Sequence, residues 1–206
     1  SSSPGTNENA LTIVDLAASA WQARTIVPNM DAEWSVIGNE GSKLILVTTD
    51  GAERRRVVSL DPAEADLRPK EMLPEDADNA VLNDAAIMGH KLFIAYLVDA
   101  KTEIRRFDLN GTPDGTVTLP GIGTAGGFQG HPGDREAFFG FTAFDAPTAI
   151  YRYDTQTNSV TPWAEPEASI HPDEITVEQR FYRSTDATEV PIFIVRRKDV
   201  TTAAPT

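Results

Sequence analysis

Apolar residues occur in short blocks separated by polar turns, and almost never at the three-to-four-residue interval of an amphipathic helix. Three blocks, "KLILVTT" from Lys43, "KLFIAYL" from Lys91 and "EAFFGFT" from Glu136, are near-continuous apolar runs of strand length. Such runs predict a second apolar strand, after a turn, in each of three repeats. Four others end on an aspartate: "TIVDL" on Asp15, "VVSLD" on Asp61, "IRRFDL" on Asp108 and "IYRYD" on Asp154, spaced 46, 47 and 46 residues apart. After each aspartate come a polar turn and a short strand ending near proline, in "RTIVP", "KEMLP", "GTVTLP" and "SVTPWAEP". The slot that opens a repeat holds "EWSVIGN" at Glu33–Asn39, "VLNDAAIMG" at Val81–Gly89 and "GTAGGFQG" at 123–130. Four strands in such a period predict an antiparallel meander, the size of one blade of a β-propeller. The short aspartate side chain is expected to cap the following turn by accepting backbone N–H bonds. Helical signal is confined to "DPAEAD" at Asp61–Asp66, enough for one turn at most.

Gly121, Gly123 and Gly126 spell a literal G-x-G-x-x-G, the phosphate-binding fingerprint of dinucleotide enzymes when a helix opens on it. Here Gly130, Pro132 and Gly133 follow, and then the strand signal Ala137–Phe141. Without a helix the dinucleotide-dependent oxidoreductase reading loses its mechanism. The glycines are expected instead to allow close backbone approach in the innermost strand of a blade.

The repeat stops beyond Trp163. "ITVEQRFYRS" and "TEVPIFIVRRKD" form a longer alternating hairpin without a strand-ending aspartate, and Glu165–Pro172 reads as a linker. Two units follow: residues 1–168, partial propeller blades, and 169–206, the first hairpin of another domain. Strand-ending aspartates count three whole repeats and the tail of a fourth, whereas closed propellers have about four to eight blades. The chain is therefore expected to be a segment of a longer polypeptide.

Charge narrows the partners. With 31 acidic against 18 basic residues the net charge is −13, which disfavours nucleic acid. The one basic cluster, Arg54-Arg55-Arg56, reads as the solvated face of a strand. No run of about 18 apolar residues is present, and "SSSPGTNENA" has neither a basic nor an apolar export region, so a soluble chain with no membrane partner is expected. The absence of cysteine excludes disulfides and thiolate chemistry and fits cytoplasm or periplasm alike.

Candidate chemistry is sparse. No G-x-S-x-G elbow exists. His90, His131 and His171 each neighbour a glycine or proline, so turn positions are expected rather than general bases. No zinc-type histidine spacing is present, and Glu75-Asp76-Ala77-Asp78 lacks calcium-loop spacing and reads as a solvated loop. Catalytic residues, metal ligands and cofactors are all assigned as none.

The runs "EIRRFDLNGTPDGTVTLPGIGTAGGFQG", "AFFGFTAFDAPTAIYRYDTQTNSVTPW" and "EQRFYRSTDATEVPIFIVRRK" resemble the prolyl oligopeptidase (prolyl endopeptidase) family of serine peptidases. "LPEDADNAVLNDAAIMGHKLFIAYLVDAKTEIRRFDL" extends the likeness upstream, so it covers essentially the whole chain. The resemblance implies an all-β partial propeller of about three and a half four-stranded blades, from the C-terminal half of a seven-bladed propeller, followed by a β-hairpin opening an α/β-hydrolase domain. It implies cleavage of short peptides after proline by a serine activated by histidine, with the triad and the oxyanion tyrosine outside this chain. The segment alone should then be inactive and act as a lid that selects substrates by size. Trp34, Ala85 and Gly126, in the innermost strands, are the expected channel or cavity lining. Expected partners are short proline-containing peptides and the rest of the same polypeptide, the complete protein being a monomer. The alternative is a stand-alone propeller-type binding scaffold without catalysis.

Overall fold

The computed structural model describes residues 7–18, 20–167 and 172–200. The first sheet pairs β1 (Leu11–Val14) with β2 (Ala23–Val27). The second holds β3 (Trp34–Glu40), β4 (Lys43–Thr48), β5 (Arg56–Leu60) and β6 (Lys70–Leu73). The third holds β7 (Val81–Met88), β8 (Lys91–Val98), β9 (Lys101–Asp108) and β10 (Pro113–Val117). The fourth holds β11 (Gly123–Gln129), β12 (Glu136–Ala143), β13 (Ala149–Asp154) and β14 (Ser159–Ala164). In every four-stranded sheet the spatial order follows the chain, so each is an antiparallel meander as the repeat predicted. Three such sheets and a two-stranded unit make the expected three and a half blades.

Continuous apolar runs arise because the second strand of a blade buries both faces. Along β4, Ile45 and Val47 face the third sheet with Leu82 and Ile94, whereas Leu46 faces the first sheet with Leu11 and Ile26. Along β8 the same alternation sends Leu92, Ile94 and Tyr96 one way and Phe93 and Ala95 the other. The cores therefore lie between blades, and each fully buried aliphatic side chain contributes about 1.5–3 kcal/mol. The fourth sheet buries Ala137, Phe139, Phe141 and Tyr153 against the third. Its other face leaves Trp163 62% and Ile150 39% exposed.

Turn chemistry sets the register. The β7–β8 turn is Gly89-His90 and the β8–β9 turn is Asp99-Ala100, all four residues at positive φ. Gly89 is required for a second reason: a Cβ there would meet the Thr155 side chain at 2.7 Å. Asp61–Asp66 forms turns without a helix.

Beyond the sheets, a short 3₁₀ turn at Pro172–Glu174 leads into β15 (Ile175–Arg183), paired residue for residue with β16 (Glu189–Arg197). Residues 168–171, including the expected boundary at Ser169 and His171, lie outside the described residues. The hairpin meets the fourth sheet through Phe193, whose ring centroid is 4.8 Å from that of Phe144. Gln179 adds a hydrogen bond from its side-chain amide to the Asp99 carbonyl at 2.7 Å.

Candidate functional site: the inner strands

Strands β3, β7 and β11 open their sheets, and neighbouring members touch, β3 with β7 and β7 with β11. Each carries a register irregularity against its second strand: between Val36 and Gly38, between Leu82 and Asp84, and between Gly126 and Gln129. A bulge adds an unpaired residue and increases local twist, which turns side chains out of the ladder. Ser35, Val36, Asn83 and Thr124 on these three strands are exposed.

The three residues singled out from the sequence occupy unequal positions. Ala85 is half-buried and lines a cleft of about 390 Å³ between β3 and β7, together with Glu33, Ser35, Arg55, Asn83 and Asp84. Gly126 is half-buried, and nothing lies within 4 Å of where its Cβ would stand. Trp34 is 7% exposed, with its ring in the core between the first and second sheets beside Leu46 and Val58. Asn9 fixes it from both sides, accepting the Trp34 N–H at 2.8 Å and donating to the Trp34 carbonyl at 3.0 Å. Its indole N–H is buried and makes no hydrogen bond among the described residues.

The glycine-rich stretch divides similarly. At Gly123 a Cβ would stand 2.2 Å from the Thr142 carbonyl oxygen, so that glycine does permit close approach. Gly126 and Gly127 do not: nothing crowds either, and Gly127 adopts φ of 67° within the bulge. No helix follows these glycines; the chain turns directly into β12.

Arg55 belongs to the site and was misread from sequence. Only Arg56 lies in β5; Arg54 and Arg55 sit in the preceding turn, with Arg55 at φ of 69°. Arg55 donates to Glu33 from Nε at 3.1 Å and from Nη2 at 2.9 Å, and from Nη1 to the Leu82 carbonyl at 3.2 Å. One guanidinium thus joins the entry of β3 to the backbone of β7, a planar fork that lysine could not reproduce. Arg54 pairs with Glu75, and Arg56 with Asp50 and Glu71. The cluster is consumed inside the blades and is not a solvated strand face. The only signal for this in the sequence was three consecutive arginines in a strongly acidic chain. Asp84, the second acid of the cleft beside Glu33, makes no ion pair among the described residues; its carboxylate accepts the N–H of Ala85 at 2.9 Å.

The acidic run at 75–78 is also not merely solvated. Asp76 pairs with Arg105, its side chain 10% exposed. Burial pushes its carboxyl up, but the Ala80 N–H, Arg105 and the Asp78 N–H outweigh burial and hold it below the ordinary range. His90 and His131 lie in turns and are exposed, and neither imidazole makes a hydrogen bond among the described residues. No group of three or more His, Asp or Glu among the described residues is placed to hold a metal ion.

Comparison with known proteins agrees with this architecture. Residues 1–166 match the family model described as the prolyl oligopeptidase N-terminal beta-propeller domain. A prolyl endopeptidase of Elizabethkingia meningoseptica is 28% identical over 200 residues, which are 96% of this chain and 28% of that protein. A prolyl oligopeptidase of Omphalotus olearius is 32% identical over 175 residues, 82% of this chain and 23% of that one. Among solved structures, one from a study of inter-domain dynamics in two prolyl endopeptidases superposes with a TM-score of 0.87 at 36% identity, covering 97% of this chain and 29% of that chain. The fold is shared as well with prolyl oligopeptidase B from Galerina marginata bound to a 35-residue substrate, with a TM-score of 0.80 at 23% identity, covering 95% of this chain and 29% of that chain. The chain thus spans under a third of the length of these relatives. On the match over residues 1–166, the chain belongs to the prolyl oligopeptidase N-terminal β-propeller family.

Proposed function

We propose that this chain is the propeller segment of a proline-specific serine peptidase that cleaves short peptides after proline. The reading is carried by the row of bulged inner strands in a chain of this family. Residues 1–168 contribute blades of a seven-bladed propeller, and 169–206 begin the α/β-hydrolase domain of the same, monomeric polypeptide. The serine, histidine, aspartate and oxyanion tyrosine lie elsewhere in that polypeptide. There histidine takes the serine proton as the hydroxyl attacks the prolyl carbonyl, the peptide C–N bond breaks as histidine returns that proton to the departing amine, and water hydrolyses the acyl-enzyme to free the serine and the prolyl carboxylate. The propeller acts as a lid: a narrow axial opening and a cavity wall admit short flexible peptides and exclude folded proteins.

Ala85 and Gly126 line that opening, and Trp34 braces it from behind through its contact with Asn9. In the full-length enzyme, Ala85→Trp and Gly126→Trp should lower kcat/KM for peptides of about ten residues roughly tenfold or more. Dipeptide-sized prolyl substrates should change less than about twofold, since uniform loss reflects chemistry and selective loss reflects access. Equal changes for both substrate sizes, or no change for either, would overturn the assignment of these residues as lining.

A further inference from the structure

The cleft between β3 and β7 joins apolar walls to polar ones. Buried Val47 and Leu82 line it together with Glu33, Ser35, Asn83 and Asp84. Its shape has a local cause: β7 slips out of register against β8 between Leu82 and Asp84. The extra residue of a bulge re-aims its neighbours, and Asn83 and Asp84, consecutive in the chain, line the same cleft.

Charge in this cleft does not balance. Arg55 is the one cation among the lining residues, and each of its nitrogens already has an acceptor: Glu33 for Nε and Nη2, the Leu82 carbonyl for Nη1. Arg55 and Glu33 thereby neutralise each other at 2.9 Å. Asp84 is left over. Its Oδ1 accepts the Ala85 N–H, and its Oδ2 has no hydrogen bond or ion pair among the described residues. The inner strands supply no cation to meet it: β3, β7 and β11 contain neither Lys nor Arg, and their charged residues are Glu40 and Asp84. Asp84 is half-buried, and low-dielectric walls concentrate the field of such a charge within a cleft.

We propose that Asp84 makes the inner-strand wall selective for peptides carrying a primary ammonium group, from a lysine side chain or a free amino terminus; this selectivity rests on the peptidase reading and adds the charge of the substrate to it. The ammonium donates to Asp84 Oδ2, and the Ser35 hydroxyl and Asn83 amide oxygen are acceptors for its remaining N–H groups. An anionic group is disfavoured, because no nitrogen of Arg55 lacks an acceptor.

The test uses full-length enzyme and pairs of N-acetylated peptides of about ten residues with one proline, in which lysine or norleucine stands at successive positions before it. At the best position kcat/KM should favour lysine about threefold at low ionic strength, as one partly exposed ion pair supplies, and the preference should shrink in about 1 M NaCl. A second arm compares the norleucine peptides with and without the acetyl group, so that the amino terminus and the side chain are told apart as sources. Asp84→Asn keeps an oxygen acceptor for the Ala85 N–H and should bring the ratio to about one, the change residing in KM. Asn83→Lys, at an exposed position, sets a cation beside Asp84 and should do the same, so the test does not depend on one variant folding. A ratio near one in both arms, a preference indifferent to salt, or one that survives either substitution in a folded variant overturns the proposal. Cleavage of the norleucine peptides after proline reads the peptidase assignment separately; if it is absent, that assignment falls and the selectivity with it.

Discussion

Asp154 accepts the N–H groups of Gln156 and Thr157, each at 2.9 Å, and pairs with Arg135 at 2.8 Å. The Thr157 N–H and then Arg135 hold its carboxyl far below the ordinary 3.8. Asp15 and Asp61 cap their turns in the same way, through Ala17 and Ala63. Asp108 departs from the rule: it pairs with Lys91, and Asn110 caps that turn by accepting the Thr112 N–H at 3.0 Å. A depressed folded pKa stabilises the native state fully above the unfolded value, and that stabilisation is lost as pH falls toward the folded value. Asp154→Ala should therefore lower Tm at pH 7, and the gap from wild type should narrow in melts below about pH 4. A gap independent of pH would show that the carboxylate charge contributes nothing.

The bulges divide the glycines of β11 at the level of the element. Gly123→Ala would drive a methyl group into the Thr142 carbonyl and the Phe141 ring, at 2.2 and 2.8 Å. Overpacking against backbone costs about 1–3 kcal/mol, so chemical denaturation should show a loss of that size. Gly126→Ala meets nothing within 4 Å and should stay within about 0.5 kcal/mol of wild type. Similar losses for both would mean that β11 is crowded throughout.

Across the whole molecule, β15 and β16 reach the blades through the Phe144–Phe193 pair beside the fourth sheet and the Gln179–Asp99 bond at the β8–β9 turn of the third. An aromatic pair contributes about 0.5–1.5 kcal/mol beyond its buried area. Phe193→Ala should accordingly raise amide hydrogen exchange across residues 175–197 while β12 and β13 stay protected. Loss of protection in β12 as well would show that hairpin and sheet unfold as one cooperative unit.

Periodic features were legible from the chain itself. Strand-ending aspartates, apolar runs and turn glycines report local backbone preference and two-sided burial, and from them the four-stranded repeat and the break after Trp163 could be read. The inner strands could be placed by position in that repeat, which put Ala85 beside a cleft. Which way a side chain points past a bulge could not be read, because one extra residue inverts the alternation. The position of Trp34 has another cause: it lies ahead of the β3 bulge in regular register, and the first sheet, through Leu11 and Ile26, covers it, so it sits in the core and not at an opening. Nor could the partners of Arg55 and Asp76 be found, because Glu33 meets Arg55 only when β3 and β5 share a sheet, and Arg105 meets Asp76 only when the link between the second and third sheets folds against β9. Strand order follows from local chemistry repeated along the chain, whereas pairing of charges and shaping of clefts depend on distances that exist only once strands remote in sequence are brought together, within a sheet or between neighbouring sheets.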